Sequence, residues 1–405
     1  MKTSNHIILT IGAVVALASC QPKEVALVIT SNEAFDVSAK RVILSREDIA
    51  STEGQYFKLL YEGREVPVQF DDLDDDGQWD EVVFEVDIAP NSATHLKMEM
   101  TDAKPEYEQK TQVYLGVSPE RNGQFSEQDQ ALRPEGHVAQ SLPYLYQYEG
   151  PGWESDLVAF RSYFDSRNGK DIFGKTKTQL YADQIGLSEN YHELDDWGMD
   201  VLKVGNSLGS GALAILKNDT LFRLGETGTA SYSVIAEGPV RSVFELRYSG
   251  WDISGASYDV TEQISIWAGK RSFQSTVKLS SSGGDTLVTG IVNLKKLMKK
   301  ESREGDYQIL YTHGVQSENN DVLGMGLLVS EEHFIGFDNA DSMNGGDVSD
   351  TYTALLQTDE TGQYKFHFVA GWELENAKFK NEEAFLAALK QEAQELSTDI
   401  FISIQ

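Results

Sequence analysis

Apolar and polar side chains alternate with a period of two along most of the chain. The alternation is clearest in five segments, whose apolar members are Val82, Phe84 and Val86; Phe244, Leu246 and Tyr248; Tyr258, Val260, Ile264 and Ile266; Phe273, Val277 and Leu279; and Tyr364, Phe366 and Phe368. Such alternation is typical of strands with one face on a core and the other in solvent. No regular succession of strands and helices occurs, so the pattern predicts an all-β protein with a large antiparallel β-sandwich.

One segment near the C-terminus departs from this pattern. Between Asn381 and Leu396, the apolar residues Phe385, Leu389 and Leu396 lie on or near one stripe of a helix. We therefore predict a C-terminal amphipathic helix that covers one of the sheets.

The first residues have the features of an export signal. Residues 7–18 are apolar but too few to span a bilayer as a stop-transfer helix. They end in the sequence LASC, which resembles the lipobox of bacterial lipoproteins, in which the cysteine is lipidated. Cys20 is the only cysteine of the chain, so it has no disulfide partner. An ordinary secretory signal with an unrelated cysteine is the alternative.

These features predict five segments along the chain. They are a lipoprotein signal peptide at 1–19, a tether at 20–25, an N-terminal β unit at 26–102, a polar connection at 103–135 and the large sandwich at 136–405. Lipid on Cys20 would anchor the protein to a bacterial membrane, and the sequence leaves open whether it faces the periplasm from the outer membrane or the cell surface.

Acidic residues greatly outnumber basic ones in the 405-residue chain, whose formal net charge is -30. This charge argues against a nucleic-acid partner and against insertion into an anionic leaflet. An acidic sugar would need a local basic pocket, because the overall field repels it.

An acidic loop lies in the N-terminal β unit. The sequence DLDDDGQWDE carries the predicted calcium ligands Asp72, Asp74, Asp76 and Asp80. Alternate carboxylates in a tight loop converge readily on a hard cation, and Gly77 permits the sharp turn. No glutamate stands at the twelfth position, so the loop is not an EF-hand. We predict a structural calcium ion here, with a solvated acidic hairpin as the alternative.

A cluster of charged and aromatic side chains spans residues 150–175. Its members are Trp153, Glu154, Asp156, Arg161, Tyr163, Asp165, Arg167, Lys170 and Asp171. Alternate positions from Arg161 to Arg167 would project from one face of a strand, with Phe160 and Phe164 on the other. A polar face usually serves solubility alone, but arginines mixed with aromatic rings also suit a groove that binds sugars.

A second polar stretch follows after the strand-like piece KTQLYADQIG. Its sequence, SENYHELDDWGMDVLKVGNSLG, contains Tyr191, His192, Trp197 and Asp200. If the two stretches are neighbours, Tyr191 and His192 approach the arginines of the first. Taken alone, His192 is better explained as a hydrogen-bonded loop histidine.

The combined cluster suits removal of an acidic C–H proton beside a carboxylate. Arg161 and Arg167 would neutralise the carboxylate, His192 or a tyrosine (Tyr163 or Tyr191) would take the proton, and another phenol or imidazole would donate to the leaving oxygen. The remaining predicted contacts with the substrate are Trp153, Trp197 and Asp200. This chemistry requires no cofactor.

Three stretches together resemble a family of exported lipoproteins first catalogued as a domain of unknown function. They are WESDLVAFRSYFDSRNGKDIFGK, YHELDDWGMDVLKVGNSLGSG and DLDDDGQWDEVVFEVDIAP. Members are encoded in polysaccharide-utilisation clusters of Gram-negative bacteria, and some are dehydratases that act on oligosaccharides of ulvan, a sulfated algal polysaccharide. The resemblance implies a galactose-mutarotase-like supersandwich as catalytic domain.

The reaction that the resemblance implies is elimination from an acidic oligosaccharide. A uronate would lose water or a sugar and become 4,5-unsaturated. Sequence alone does not separate a dehydratase from a lyase, because both need the same groups. The alternatives are a non-catalytic glycan-binding lipoprotein and a glycoside hydrolase, which needs two carboxylates about 5 to 9.5 Å apart.

Overall fold

The structure is a computed structural model that describes residues 25–49, 56–120, 123–133, 145–187, 190–280, 284–343 and 346–405. The predicted signal peptide and Cys20 lie outside these ranges, so lipidation stays a prediction. Among the described residues, no helix is both long and apolar enough to cross a membrane.

Antiparallel strands make up most of the described chain. The N-terminal strands are β1 (Val25–Thr30), β2 (Val37–Ser45), β3 (Tyr56–Tyr61), β4 (Arg64–Val66), β5 (Val68–Asp71), β6 (Glu81–Ile88) and β7 (Ala93–Thr101). The next eight are β8 (Thr111–Tyr114), β9 (Gly116–Val117), β10 (Ser126–Glu127), β11 (Gln130–Arg133), β12 (Gly152–Ser155), β13 (Val158–Ser162), β14 (Lys170–Lys175) and β15 (Gly198–Asp200).

The C-terminal half adds fourteen strands and the one α-helix of the described residues. The strands are β16 (Ala214–Lys217), β17 (Thr220–Arg223), β18 (Thr229–Ala236), β19 (Arg241–Ile253), β20 (Ala256–Trp267), β21 (Ser272–Leu279), β22 (Thr286–Val292), β23 (Lys300–Glu304), β24 (Tyr307–Val315), β25 (Val322–Ser330), β26 (Phe334–Asn339), β27 (Thr351–Leu356), β28 (Gln363–Trp372) and β29 (Phe401–Ile404). The helix is α1 (Glu382–Ser397), and short 3-10 turns lie at Glu47–Ile49, Ala340–Ser342 and Ala377–Lys380. The predicted all-β class with a C-terminal helix is confirmed.

The large sandwich has a nine-stranded sheet in the order β11-β18-β19-β20-β21-β28-β25-β24-β23. Two five-stranded sheets, β15-β14-β13-β12-β8 and β17-β16-β22-β27-β26, share one hydrophobic core with it. At the centre of this core the Trp153 ring stacks on Phe160 and meets Phe273 edge-on, at centroid distances of 5.8 and 5.2 Å. The predicted alternating residues from Phe244 to Phe368 line the same core, so their inward parity is confirmed.

The N-terminal unit has a separate core between two smaller sheets. Their strand orders are β29-β1-β7-β3-β4 and β2-β6-β5. Strand β29 pairs with β1 in antiparallel register, with Leu27 opposite Ile404. The end of the chain thus returns to the N-terminal unit, whereas the predicted boundaries assigned it to the sandwich. The stretch 103–135 also differs from a simple connection, because β8 and β11 belong to the two layers of the sandwich.

Helix α1 covers part of the outer face of the nine-stranded sheet. The side chain of Asn381 accepts hydrogen bonds from the backbone N–H groups of Glu383 and Ala384 and so caps the first turn. Phe385 and Leu389 pack onto β25, where glycines permit the close approach. A Cβ atom on Gly326 would lie 2.6 Å from the Leu389 side chain.

Buried polar contacts join the N-terminal unit to the sandwich. The guanidinium of Arg241 pairs with Asp71 and Glu81, and Arg41 on β2 pairs with Glu392 and Glu395 of α1. Each of these charged groups has an opposite partner, and a small apolar cluster of Val83, Val240 and Trp267 also joins the two units.

We expect Leu389→Ala to lower the free energy of unfolding by about 2 to 5 kcal/mol, because it leaves a cavity at a fully buried site. Leu386→Ala, in the same helix at a partly buried site, is the matched control and should cost less. Chemical denaturation followed by circular dichroism measures both losses. Equal losses would show that α1 does not pack through Leu389.

Candidate active site

The hairpin of β13 and β14 brings two charged side chains together. Arg161 lies directly opposite Asp171 in the antiparallel register. Their neighbours Phe160 and Ile172 point into the sandwich core, so the alternation of the strand turns Arg161 and Asp171 to the outer face. Loops cover this face, and the side chain of Arg161 is only 2% exposed.

Arg161 is committed to protein carboxylates. Its Nη2 atom donates to Asp171 Oδ2 at 2.8 Å and to Asp200 Oδ2 at 2.7 Å. The hydroxyl of Tyr163 donates to the same oxygen of Asp171 at 2.6 Å. Two buried carboxylates thus occupy its Nη2 atom, so this geometry does not support the prediction that Arg161 binds a substrate carboxylate.

This buried cluster carries an excess of negative charge. Two carboxylates, Asp171 and Asp200, face one guanidinium. Burial, and then repulsion from Asp200, raise the pKa of the Asp171 carboxyl well above its ordinary value. Burial, and then the negative charge of Asp171, likewise raise the pKa of Tyr163, which keeps its phenol protonated. The cluster therefore attracts a further positive charge or a proton.

His192, on the loop that precedes β15, lies beside this negatively charged cluster and can supply the positive charge. The backbone N–H of Asp200 donates to the carbonyl of Tyr191 at 2.8 Å, which fixes the loop beside the cluster. The Nδ1 atom of His192 lies 3.2 Å from Asp200 Oδ2. A hydrogen bond to Asp200 is the main cause that raises the pKa of His192 above its ordinary 6.5, although partial burial opposes it.

The side chain of His192 lines an open cleft. The side chain is 61% exposed, and its Nε2 atom has no hydrogen bond to any residue that the structure describes. This arrangement, one nitrogen on a buried carboxylate and the other open to solvent, is the geometry of a general acid–base group.

The cleft has a volume of about 410 Å³. Its lining residues are Glu149, Arg161, Tyr163, Asp171, His192, Asp200, Leu202, Lys203, Val204, Gly205 and Glu318. Lys203 is exposed and forms no ion pair within the described ranges, whereas Glu318 pairs with Lys295 at 3.4 Å. Lys203 was not predicted as a site residue, because a lone lysine carries no sign of a binding role in the sequence around it.

Arg167 lies at the edge of the cluster. Its guanidinium pairs with Asp165 at 2.6 Å and Glu149 at 2.9 Å, and it lies 4.3 Å from the centroid of the Tyr163 ring. Like Arg161, it is occupied by protein carboxylates, so the prediction that it neutralises a substrate is not supported by this geometry.

The two tryptophans predicted to stack on sugars are buried. Trp153 is 0% exposed inside the sandwich core, and Trp197 is 2% exposed and stacks on Tyr181. Neither ring has a face that a ligand can reach, so both predictions are wrong. The piece KTQLYADQIG between the two polar stretches also forms turns rather than a strand.

The acidic loop in the N-terminal unit partly matches its prediction. Carboxylate oxygens of Asp72, Asp74 and Asp80 lie within 4.8 Å of one another, close enough to share a cation. The carboxylate of Asp76 instead accepts from the backbone N–H of Gln78 at 2.8 Å. Calcium binding stays a prediction, now with three convergent carboxylates.

Asp200→Asn should lower the pKa of His192, because the neutral amide no longer stabilises the imidazolium. An NMR titration of the His192 ring protons measures this shift. Asp196→Asn is the matched control, since Asp196 is an exposed carboxylate of the same loop that pairs with Lys177. A pKa of His192 that is equal in the wild type and both variants would contradict the geometry.

Comparisons with known proteins give relatives of this chain. A protein of Formosa agariphila described as "Uncharacterized protein P7" is 25% identical over 242 residues, which are 55% of this chain and 54% of that protein. An alpha-mannosidase of Enterococcus faecalis superposes with a TM-score of 0.47 and 7% identity, over 95% of this chain and 46% of that structure. A glycosyl hydrolase family 38 protein of the same species gives a TM-score of 0.50 and 9% identity, over 95% and 48%.

These matches cover about half the length of each relative, and the likeness to the solved structures is one of fold. The comparison with protein families reaches further along the chain. The profile of the family described as "Domain of unknown function (DUF4861)" matches residues 29–402, so the chain belongs to this family.

Proposed function

We propose that the protein is a carbon–oxygen lyase that acts on an acidic oligosaccharide. It eliminates water, or a sugar, from a uronic acid and leaves a 4,5-unsaturated uronate. The observation that carries the proposal is the His192–Asp200 pair in a cleft that is also lined by Lys203, which forms no ion pair with any residue that the structure describes. The family resemblance in the sequence adds ulvan-derived oligosaccharides as substrates and a lipid-anchored location through Cys20.

In this proposal His192 is the base. Its Nε2 atom takes the C5 proton, and the carboxylate of Asp200 stabilises the imidazolium that forms. Asp200 therefore orients the base in this proposal. The sequence had instead predicted that Asp200 contacts the substrate. The electron pair of the C5–H bond becomes the C4–C5 double bond as the C4–O bond breaks.

Lys203 is proposed to bind the carboxylate of the uronate. Neutralising this carboxylate increases the acidity of the adjacent C5 proton and stabilises the negative charge that develops there. The ammonium group of Lys203 forms no ion pair with the residues that the structure describes, whereas Arg161 and Arg167 are paired with protein carboxylates. It also supplies the local positive charge that an acidic ligand needs on a strongly acidic protein.

Tyr191 is the proposed acid for the leaving oxygen. Arg161 Nη1 donates to its hydroxyl oxygen at 3.3 Å, and burial raises the pKa of the phenol, so its proton is present at neutral pH. The ring of Tyr191 lies 4.4 Å from that of His192, which places acid and base side by side. The leaving oxygen takes this proton, and solvent carries the proton of His192 back to Tyr191.

The two alternative functions have less support. The non-catalytic glycan-binding alternative was predicted to use Trp153 and Trp197 as stacking platforms, but both rings are buried. A glycoside hydrolase needs two carboxylates that flank the scissile bond. Asp171 and Asp200 instead share one nitrogen of Arg161 beneath the cleft, and Glu154 is fully buried against Lys175.

We expect His192→Ala to lower the rate of elimination by about 10² to 10⁴ while the fold and the affinity for oligosaccharide persist. The assay follows the ultraviolet absorbance of the conjugated double bond, with mass spectrometry to detect loss of water or of a sugar.

His95→Ala is the matched control, because His95 lies on β7 in the N-terminal unit, outside the cleft. In the wild type the rate should rise with pH through the raised pKa of His192, because the neutral imidazole is the base. Wild-type turnover in His192→Ala would assign the base to another residue. Absence of unsaturated product from all acidic oligosaccharides would refute elimination itself.

Lys203→Met should raise KM for an acidic oligosaccharide roughly tenfold, because it removes a charge-assisted hydrogen bond to the carboxylate. The rate constant kcat should fall as well, since the same charge stabilises the transition state. Lys203→Arg keeps the charge and should restore most of the affinity. Steady-state kinetics with the three proteins would exclude this role if Lys203→Met and the wild type behaved alike.

A further inference from the structure

A second, larger cleft lies between the N-terminal unit and the nine-stranded sheet, with a volume of about 610 Å³. Its lining residues are Lys40, Arg41, Ile43, Leu73, Glu81, Ile235, Arg241, Val243, Glu245, Arg247, Gln263, Ser265, Trp267, Gln274, Glu395 and Leu396. Strands β18 to β21 form its floor, β2 and the acidic loop form one wall, and the C-terminal end of α1 forms another. Neither helix α1 nor the N-terminal unit covers this part of the sheet.

This cleft and the candidate active site lie on opposite faces of the sandwich. On β19 and β20 the side chains of Phe244 and Ile264 enter the core, so their neighbours Glu245 and Gln263 point outward from the nine-stranded sheet. Arg161 points outward from the facing five-stranded sheet. The hydrophobic core separates the two sites, and a ligand in one cleft does not reach the other.

The floor of the second cleft holds unused hydrogen-bonding groups. Gln263 is exposed and has no hydrogen bond to any residue in the described ranges. Gln274 uses its Nε2 atom to reach Thr276 at 3.0 Å, which leaves its Oε1 atom free among those residues. Arg247 pairs through Nε with Glu245, so both of its Nη atoms remain available within the same set.

Planar amide and guanidinium groups suit a hydroxyl-rich ligand. Each presents two polar atoms at a spacing that matches adjacent hydroxyl groups of a sugar ring. Aliphatic side chains complete the match, because the C–H face of a sugar ring is apolar. Ile43 is 50% exposed and Leu73 is 40% exposed on the wall formed by the N-terminal unit.

The charge of the cleft differs from that of the whole protein. Four basic residues line it, Lys40, Arg41, Arg241 and Arg247, against the three acidic residues Glu81, Glu245 and Glu395. The formal balance of the lining is thus 4 − 3 = +1, in a chain whose formal net charge is -30. Asp71 and Glu392 pair with Arg241 and Arg41, and the acidic loop forms one wall, so this balance does not by itself select an acidic over a neutral glycan.

We propose that this cleft is a second oligosaccharide-binding site, which holds a stretch of glycan by hydrogen bonds without chemical change. Arg247 and Gln263 are its central contacts. The site retains the polymer or a long product on the protein, independently of the reaction in the first cleft, so it stands even if the proposed elimination fails.

The test is affinity electrophoresis in native gels that contain either an acidic glucuronan or a neutral soluble cellulose derivative. All variants carry His192→Ala and Lys203→Met, so that no ligand is consumed and binding of an acidic polymer in the first cleft is weakened. The double variant Arg247→Ala/Gln263→Ala should lose about tenfold or more in affinity, because several hydrogen bonds are removed. Lys278→Ala is the matched control, since Lys278 is exposed on the same outer face of β21 but does not line the cleft.

The site would be supported if the double variant lost binding while the Lys278→Ala control kept it. If the loss occurs in the glucuronan gel the ligand is an acidic glycan, and if it occurs in the cellulose gel the ligand is a neutral one. Equal mobility of the double variant and its parent would overturn the proposal. Absence of retardation of the parent in both gels would overturn it as well. Circular dichroism spectra of all variants should coincide, because both substituted side chains are exposed.

Discussion

The buried guanidinium of Arg161 is the interaction on which the candidate site depends. It holds Asp171 and Asp200 together beneath the cleft, where neither carboxylate could stay charged alone. Removing it would leave two buried carboxylates without a counterion, at a cost of about 3 to 5 kcal/mol. Arg161 is thus a positioning residue. Through Asp200 it fixes the orientation and the protonation of His192, which is the proposed base.

The sandwich imposes a second constraint, because its strands alternate between core and surface. Phe160 and Ile172 enter the core from one layer, and Phe244 enters it from the other. Polar neighbours of these residues must therefore appear on two opposite outer faces. The segments that cover each outer face determine the cleft that forms there. Loops make the smaller cleft over β13 and β14, whereas the N-terminal unit and α1 leave the larger cleft between them.

The period-two pattern predicted the inward residues of the long strands, since that information is local to each strand. The same parity argument placed Arg161 and Tyr163 on one face of the polar stretch. Long-range pairing was not predictable in this way. The return of β29 to β1 joins residues almost a whole chain apart, and the burial of Trp153 depends on rings contributed by the facing sheet. The sequence around Trp153 is polar and does not indicate that the facing sheet will bury its ring.

The roles within the site depended on partners rather than on residue types. An arginine near a histidine suggests a ligand carboxylate, yet here Asp171 and Asp200 supply the carboxylates from within the protein. The resulting negative excess leaves Lys203, on the rim, as the group proposed to bind the ligand. A buried cation must be matched to buried anions as the chain folds, whereas an exposed one keeps its hydration until a ligand arrives. In the proposed function Lys203 therefore recognises the acidic ligand, and Arg161 holds the carboxylate that orients the proposed base.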